Sequence, residues 1–349
     1  LNVAKEIQMS MLPLIFPAFP KRDEIDIYAN LIPAREVGGD FYDFHFLDDN
    51  HIYFVVGDVS GKGVPAALMM AVTKTLLKST AGNDKSTASI LTHVNNEIAK
   101  DNDAYMFITI FIAILNTTTG EMVYSNAGHN PSFIIKSKRE MIKLGDLHGP
   151  VVGAMEDMTY AETKVIIDKN DIIFAYTDGI TEAQNPKEEL YSDPRLFDLL
   201  KNGEYKDPTT LINLVEESVF EFQGKAEQFD DITALSLQYL GDKKYLMRNS
   251  FSITIKNQLN QMPQVIESFE AFGENNELSF GVIQKFNIAL DELLSNIISY
   301  GFQDDLEHEI LVEVELRNER LIITLTDDGV PFNPFRNDPP DTKLSIDER

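Results

Sequence analysis

Four short segments of the chain place aspartates beside glycines or next to strand-like runs. The segments are GGDFYD at 38–43, GDVSGKG at 57–63, TDGITE at 177–182 and FDDIT at 229–233. An aspartate at a strand end can project into a cleft, and a neighbouring glycine lets backbone or ligand approach closely. Carboxylates that converge in one cleft repel each other strongly unless cations bind between them.

These carboxylates predict a site for divalent cations. Oxygen ligands without histidine or cysteine select Mg²⁺ or Mn²⁺. Two such ions about 4 Å apart can activate a bridging water for in-line attack on a phosphate ester. A single Asp-Gly pair is most often a turn, so the prediction depends on all four segments together. A catalytically silent metal-binding sensor is the less favoured alternative.

A second group of candidate residues lies near the C-terminal end. A helical pattern at 280–300 places Phe286, Leu290, Leu293 and Ile297 on one apolar stripe, and it presents Glu292 and Asn296 one turn apart on another face. A carboxylate can orient a water, while an amide oxygen can ligate a Mg²⁺ that holds nucleotide phosphates. Glu-x-x-x-Asn alone is most often a solvated helix face.

A strand followed by Asp327-Asp328-Gly329 adds weight to this second group. An aspartate at a strand end can accept a hydrogen bond from an exocyclic amine, and Gly329 lets a flat base approach the backbone. The helix and the turn together favour a nucleotide site.

The elements that must position these residues indicate an α+β protein. Strand-like runs dominate from Ile25 to Tyr239, and helical patterns interrupt them at 65–78, 86–100 and 209–222. Successive strands without a helix after each one predict antiparallel sheets with helices on their faces. The polar segment 241–249 then separates a second pattern of three strands and two helices, so we expect a domain boundary near residue 245.

Composition narrows the class of protein. The 349 residues carry a formal net charge of −26, which disfavours nucleic acid and anionic lipid as partners. The chain has no cysteine, which excludes disulfides and thiolate zinc sites. No apolar run is long enough to span a bilayer, and no signal segment opens the chain. We expect a cytoplasmic protein.

The first 20 residues predict a linker helix. Ala4, Ile7 and Met11 form an apolar stripe, and Pro13 follows them. Because the chain begins without Met and within a helical pattern, we expect a piece of a longer protein whose upstream sensor domain precedes this helix. A homodimer through the helix is one interpretation, and simple packing of the helix is equally favoured.

The strings VGGDFYD, GDVSGKGVPAAL, NAGHNP, TDGITEA and FDDIT resemble the SpoIIE/RsbU branch of the metal-dependent PPM (type 2C) Ser/Thr protein phosphatases. The resemblance covers about residues 1–240. It implies a PPM-type β-sandwich flanked by helices and two Mn²⁺ or Mg²⁺ ions that activate water without a phosphoenzyme.

The resemblance also implies roles for particular residues. The catalytic residues in this half are Asp58, Asp178 and Asp230. Asp58 would bridge both metals, and the Val59 carbonyl would complete one shell. Asp178 and Asp230 would hold the other metal, and Asp40 would lie in the outer or second-metal shell. Asp231 is expected to support the site, and Asp43 to cap the turn.

The strings IALDELLSNIISYGF and TDDGVPFNP resemble the N-box and first glycine box of the GHKL ATPases, closest to the RsbW-like anti-sigma-factor kinases. This implies a partial GHKL (Bergerat) α/β sandwich. Glu292 would be the general base, Asn296 the Mg²⁺ ligand for ATP, and Asp327 the adenine reader beside Gly329. The family's glycine-rich lid is expected after the point where this sequence stops.

A sensor histidine kinase is disfavoured, because no histidine heads a long two-helix segment directly before the ATPase pattern. The six histidines are His45, His51, His93, His129, His148 and His308.

These patterns predict a linker helix at 1–20, a SpoIIE/PPM phosphatase domain at 21–242 and a partial GHKL domain at 250–349. The leading hypothesis is a partner-switch protein. Its phosphatase would act on a phosphorylated anti-sigma-factor antagonist of the STAS type, and its kinase-like module would phosphorylate that antagonist, or bind it or a sigma factor. The alternative is an active phosphatase whose C-terminal module is a non-catalytic binding scaffold.

Overall fold

The computed structural model describes residues 2–100, 102–137, 139–241, 249–304, 306–317 and 320–331. The chain divides into two compact units, residues 1–243 and 244–349. Most of the polar segment expected to separate them, 242–248, lies outside the described residues, as does the sequence after Pro331. None of the described helices is both long enough and apolar enough to cross a membrane.

The first unit contains two five-stranded antiparallel sheets, in the strand orders β1-β10-β9-β6-β7 and β2-β3-β4-β5-β8. The strands are β1 (Ile25–Ile32), β2 (Phe41–Phe46), β3 (His51–Val59), β4 (Ile108–Asn116), β5 (Glu121–Ala127), β6 (Ser132–Ile135), β7 (Met141–Leu144), β8 (Thr163–Ile166), β9 (Ile172–Tyr176) and β10 (Ile232–Tyr239).

Successive side chains of a strand point to opposite faces of its sheet, so each sheet contributes to two layers of this unit. In β9, Ile173 and Ala175 join the core that the two sheets share, whereas Phe174 and Tyr176 face a second core under helices. The helices are α1 (Asn2–Ser10), α2 (Val64–Ala81), α3 (Thr87–Ala99), α4 (Ser192–Asn202) and α5 (Pro208–Gln223). Helices α2 and α3 pack on the β2–β8 sheet, and α5 packs on β1 and β10. The expected α+β sandwich flanked by helices is confirmed.

Helix α1 forms as predicted but presents a different face. Ile7 of the predicted apolar stripe is 54% exposed, and Gln8 is only 7% exposed. The polar side chain is buried because its amide forms two hydrogen bonds to the backbone of Gly38. The apolar stripe therefore faces outward.

The second unit has a three-stranded antiparallel sheet, β11-β12-β13, with two helices packed on it. Its elements are β11 (Ser250–Lys256), α6 (Met262–Asn275), α7 (Phe280–Tyr300), β12 (Glu309–Arg317) and β13 (Arg320–Thr326). The predicted apolar face of α7 is confirmed at Leu290, which is buried, and at Phe286 and Ile297, which pack against the core. It is wrong at Leu293, which is 49% exposed, whereas Leu294 is buried. Leu294 shares this core with Phe269 and Val312.

Candidate active site

Four strand ends meet at one end of the β-sandwich. Phe41, the first residue of β2, pairs with Gly57 near the end of β3. In the other sheet, Tyr176 at the end of β9 pairs with Ala234 near the start of β10. The aspartates expected to form the site, Asp40, Asp58, Asp178 and Asp230, lie at these four ends.

Asp40 is the most enclosed of these carboxylates, with 2% of its surface exposed. Its Oδ2 accepts hydrogen bonds from Thr177 Oγ1 at 2.7 Å and Thr233 Oγ1 at 2.6 Å, one threonine from each strand end of the other sheet. Burial, and then the charge of Asp58, raises the pKa of Asp40 well above its usual range. The two threonines thus fix a carboxyl that would otherwise be costly to bury.

Asp58 and Asp178 carry perturbed pKa values as well. Burial, and then the charge of Asp178, raises the pKa of Asp58 to about 7, while a hydrogen bond with Asp40 acts in the opposite direction. Burial, and then the charges of Glu182 and Asp230, raises the pKa of Asp178 to about 6. Each of these carboxylates destabilises the charge of another, which is the electrostatic environment that a divalent cation relieves.

The carbonyl of Val59 faces the same end of the sandwich. A Cβ at Gly39 would lie 2.6 Å from the Val59 oxygen, so the chain needs a glycine at position 39 for this approach. The carbonyl is thereby held beside the loop that carries Asp40.

Asp231 organises the loop before β2. Its Oδ1 accepts from the Ala34 amide at 2.8 Å, and its Oδ2 accepts from the Gly39 amide at 3.0 Å. A Cβ at Gly38 would lie 1.7 Å from Asp231 Oδ2. The supporting role expected for Asp231 thus has a structural basis in its hydrogen bonds to the loop.

Gln8 supports the same loop from α1 and was not predicted. Its Nε2 donates to the Gly38 carbonyl at 2.7 Å, and its Oε1 accepts from the Gly38 amide at 3.2 Å. The only sequence signal is a polar residue that interrupts the apolar pattern of the helix. Such a residue is ordinarily assigned to solvent, so the pattern alone does not reveal the contact.

Asp43 does not cap a turn, contrary to our expectation. It lies within β2, and its Oδ2 accepts from Lys74 Nζ of α2 at 2.8 Å, with both side chains at most 9% exposed. The buried ion pair fixes α2 against the strand that follows Asp40. Its partners are 31 residues apart, beyond the reach of any local motif.

The carboxylates do not close around one point. Among the residues that the structure describes, no group of three Asp, Glu or His side chains is spaced as a complete metal cage. Instead, Lys62 Nζ pairs with Asp230 Oδ2 at 2.9 Å. The oxygen donor set fits a Mg²⁺ or Mn²⁺ centre.

The candidate residues of the second unit lie in a different environment. Glu292 and Asn296 are both exposed on α7, as is Asp327 after β13. Asp327 Oδ1 accepts from the Gly329 amide of its own turn at 2.8 Å. The structure places Gly329 against the end of α7, because a Cβ there would lie 2.4 Å from the Gly301 carbonyl.

His308 links this turn to the segment after α7. Its Nδ1 lies 2.9 Å from Asp328 Oδ1, and its Nε2 lies 2.7 Å from Asp304 Oδ1. The hydrogen bond with Asp304, reinforced by Asp328, raises the pKa of His308. The turn that carries Asp327 is therefore held by side chains as well as by backbone.

Comparison with known proteins agrees with both halves of this geometry. The family model described as Stage II sporulation protein E (SpoIIE) matches residues 48–240. A second model, described as a histidine kinase-like ATPase domain, matches residues 255–349. The crystal structure of the RsbU and RsbW domains of Rv1364c from Mycobacterium tuberculosis has a TM-score of 0.52 and 21% identity, and covers 84% of this chain and 81% of that one.

Two curated relatives each match about two thirds of the chain. Protein IcfG from Synechocystis sp. (strain ATCC 27184 / PCC 6803 / Kazusa) is 29% identical over an alignment of 264 residues that covers 68% of this chain and 41% of IcfG. Phosphoserine phosphatase RsbU from Bacillus subtilis (strain 168) is 28% identical over 239 residues, which are 68% of this chain and 69% of RsbU. The chain thus spans less than half of IcfG and about two thirds of RsbU.

The sandwich has the fold of the PP2C-type (PPM) phosphatase domains: the SiaA-PP2C domain of Pseudomonas aeruginosa has a TM-score of 0.59 and 21% identity, and covers 68% of this chain and 95% of that one. Because the family model covers more than half of the residues, the chain belongs to the SpoIIE family, with a histidine kinase-like ATPase domain after the phosphatase domain. Both resemblances stated from the sequence motifs are confirmed.

Proposed function

We propose that the first unit hydrolyses phosphoserine or phosphothreonine on an anti-sigma-factor antagonist of the STAS type. The observation that supports this most strongly is the meeting of four strand ends, which brings together the carboxyls of Asp40, Asp58, Asp178 and Asp230. The matches to RsbU and to the RsbU and RsbW domains of Rv1364c support the choice of substrate class.

In this proposal two Mn²⁺ or Mg²⁺ ions are held by Asp58, Asp178 and Asp230, with the Val59 carbonyl and Asp40 completing the shells. When bound, the metals supply an activated water. Thr177 and Thr233 hold Asp40 in place, since both hydroxyls donate to its Oδ2. Asp231 fixes the backbone of the loop that carries Asp40.

The reaction is a hydrolysis at phosphorus. The oxygen of water forms a bond to the phosphorus atom, and the bond between phosphorus and the serine or threonine oxygen breaks. A proton passes to the departing side-chain oxygen, so the products are the free hydroxyl and inorganic phosphate. No residue of the chain becomes phosphorylated.

For the second unit we propose an ATP-binding, kinase-like role toward the same partner or a sigma factor. Glu292 would act as general base, Asn296 as the ligand of the ATP-bound Mg²⁺, and Asp327 as the reader of adenine beside Gly329. The histidine kinase-like ATPase match supports this assignment. The segment after Pro331, where this domain continues, lies outside the described residues.

We keep 1–20, 21–242 and 250–349 as the proposed limits of the linker and the two domains, and we propose the cytoplasm as the compartment. A homodimer through α1 is also proposed, because Val3 and Ile7 are 67% and 54% exposed on that helix. Light scattering of a chain without the first 12 residues tests it. A monomer is expected, and an unchanged dimer mass would remove the idea.

The phosphatase proposal is tested by phosphate release from a phosphorylated STAS domain. We expect release with Mn²⁺, none with EDTA and none from Asp58→Ala. The matched variant Asp198→Ala removes an exposed carboxylate from α4 and should behave as the wild type. Release that ignores EDTA, or that persists in Asp58→Ala, would contradict the assigned site. Absence of release from the wild type would contradict the activity itself.

A further inference from the structure

The ammonium group of Lys62 lies beside Asp230, among three groups that bind cations. Its Nζ lies 2.9 Å from Asp230 Oδ2 and donates to the Phe229 carbonyl at 2.7 Å. The same nitrogen lies 4.1 Å from the centroid of the Phe229 ring. A carboxylate, a carbonyl oxygen and an aromatic face are all groups that attract a positive charge.

The charge of Lys62 also acts on a second carboxylate of the site. Burial, Glu182 and Asp230 raise the pKa of Asp178, and the Lys62 ammonium opposes them. One lysine therefore acts on the charge of Asp178 and forms an ion pair with Asp230. In a chain with a net charge of −26, a cation in this position offsets some of the local repulsion.

We propose that Lys62 is an internal counter-ion that competes with the divalent metal ion for Asp230. The inference rests on the proposed function, which makes Asp230 a metal ligand. A metal that binds Asp230 must displace the ammonium from Oδ2, or bind next to it against the repulsion of like charges. The affinity of the site for metal therefore depends on how firmly Lys62 holds Asp230.

The backbone around Lys62 allows this exchange. Gly61 and Gly63 have φ values of 89° and 78°, in the region that favours glycine. A Cβ at either position would meet nothing within 4 Å, so neither glycine is packed against a neighbour. The Lys62 side chain is 33% exposed and already has a route to solvent. It can leave Asp230 while β3 before it and α2 after it stay in place.

The test is calorimetric titration of Mn²⁺ into the full chain and its variants. We expect Lys62→Met to bind Mn²⁺ about three- to tenfold more tightly, the range expected for loss of one partly exposed ion pair. Lys62→Arg keeps the charge and should bind like the wild type. The matched control Lys164→Met breaks an ion pair with Glu121 away from the site and should leave the dissociation constant unchanged.

A second variant tests the proposal without a substitution at position 62, in case Lys62→Met alters the fold. Phe229→Leu keeps the lysine but removes the ring beneath it, and should tighten Mn²⁺ binding by a smaller factor. Unchanged or weaker binding in both Lys62→Met and Phe229→Leu would overturn the proposal. A raised KM for the phosphoprotein with unchanged Mn²⁺ affinity would also overturn it, and would assign Lys62 to the substrate phosphate.

The same titration separates this inference from the proposed function. Asp178→Asn removes a proposed metal ligand and should abolish or strongly weaken Mn²⁺ binding. If Asp178→Asn binds Mn²⁺ like the wild type, the metal site itself fails. If Asp178→Asn loses Mn²⁺ but Lys62→Met gains nothing, only the competition by Lys62 fails.

Discussion

Thr177-Asp178-Gly179 in the first unit and Thr326-Asp327-Asp328-Gly329 in the second are similar in sequence, and each follows a strand. Their surroundings differ. Asp178 lies against Asp58 and Asp230, and its pKa is raised to about 6 by burial and then by Glu182 and Asp230. Asp327 is exposed, and its carboxylate accepts from the Gly329 amide of its own turn.

The difference arises from what meets each strand end. The end of β9 lies beside the start of β10. The start of β2 and the end of β3 face them from the other sheet. The end of β13 meets the end of α7, through the hydrogen bond from the Val330 amide to the Gly301 carbonyl. The aspartate of this short motif thus joins a buried cluster of carboxylates only where other strand ends that carry aspartates converge.

The largest expected effect separates the two Asp turns directly. Asp178→Asn should lower Mn²⁺-dependent phosphate release by at least ~10³-fold, which corresponds to about 4 kcal/mol of lost transition-state stabilisation. Asp327→Asn should weaken ATP binding and leave phosphate release within about twofold of the wild type. Equal losses of phosphate release in the two variants would mean that the units do not act separately.

The buried carboxylates of the first unit predict a dependence of stability on pH. The pKa of Asp58 is raised to about 7 in the folded protein, above its ordinary value near 3.9. The folded state then binds more protons than the unfolded state between about pH 4 and 7, so stability falls as the pH rises through that window. In EDTA, the free energy of unfolding should drop by roughly 2–4 kcal/mol from pH 5 to pH 8.

Urea unfolding at several pH values measures this, and Asp58→Asn provides the comparison. The variant cannot ionise at that position, so its stability should change less with pH than that of the wild type. The same slope in both proteins would show that Asp58 is not the group that titrates.

Two glycines, one in each unit, compare a tightly packed turn with an open position on a helix. A Cβ at Gly179 would lie 1.9 Å from the Asp231 carbonyl oxygen, whereas a Cβ at Gly281 in α7 would meet nothing within 4 Å. Gly179→Ala should therefore destabilise by roughly 2–3 kcal/mol. Gly281→Ala should stabilise by roughly 0.5 kcal/mol, because alanine favours the helix. Chemical unfolding measures both, and similar values would contradict the packing difference.

The smallest effect concerns the support from α1. Gln8→Ala removes two hydrogen bonds to Gly38 and should cost roughly 1–2 kcal/mol, while Ile7→Ala on the exposed face should change stability by less than about 0.5 kcal/mol. The urea midpoints of the two variants show whether the face with Gln8 or the face with Ile7 packs against the domain. A larger loss in Ile7→Ala would favour the apolar stripe as the buried face of α1.

The local sequence was sufficient to predict the candidate site where acidic residues lie at the ends of strands. The aspartates of the first unit follow from four motifs, each next to a strand, and the α+β sandwich follows from successive strands. Strand β2 was not predicted. The short strands β6, β7 and β8 were missed as well, since four residues carry too little periodicity to separate from loops. Helix α4 was also missed.

The contacts that support the site could not be predicted, because they join distant parts of the chain. Gln8 reaches Gly38 across 30 residues, and Lys62 reaches the Phe229 carbonyl across 167. Their partners are backbone groups or a carboxylate that belong to other motifs. On α7, whether Leu293 or Leu294 is buried depends on the packing of the core, which the local sequence does not reveal.

The measurement that tests the central claim most directly is anomalous diffraction at the manganese edge from crystals grown with Mn²⁺. We expect two peaks in the first unit, within bonding distance of Asp58 and of Asp178 or Asp230. Crystals of Asp58→Asn should lose the shared position. Fully occupied Mn²⁺ elsewhere, with none beside these carboxylates, would contradict the assignment of the strand-end aspartates as the metal centre.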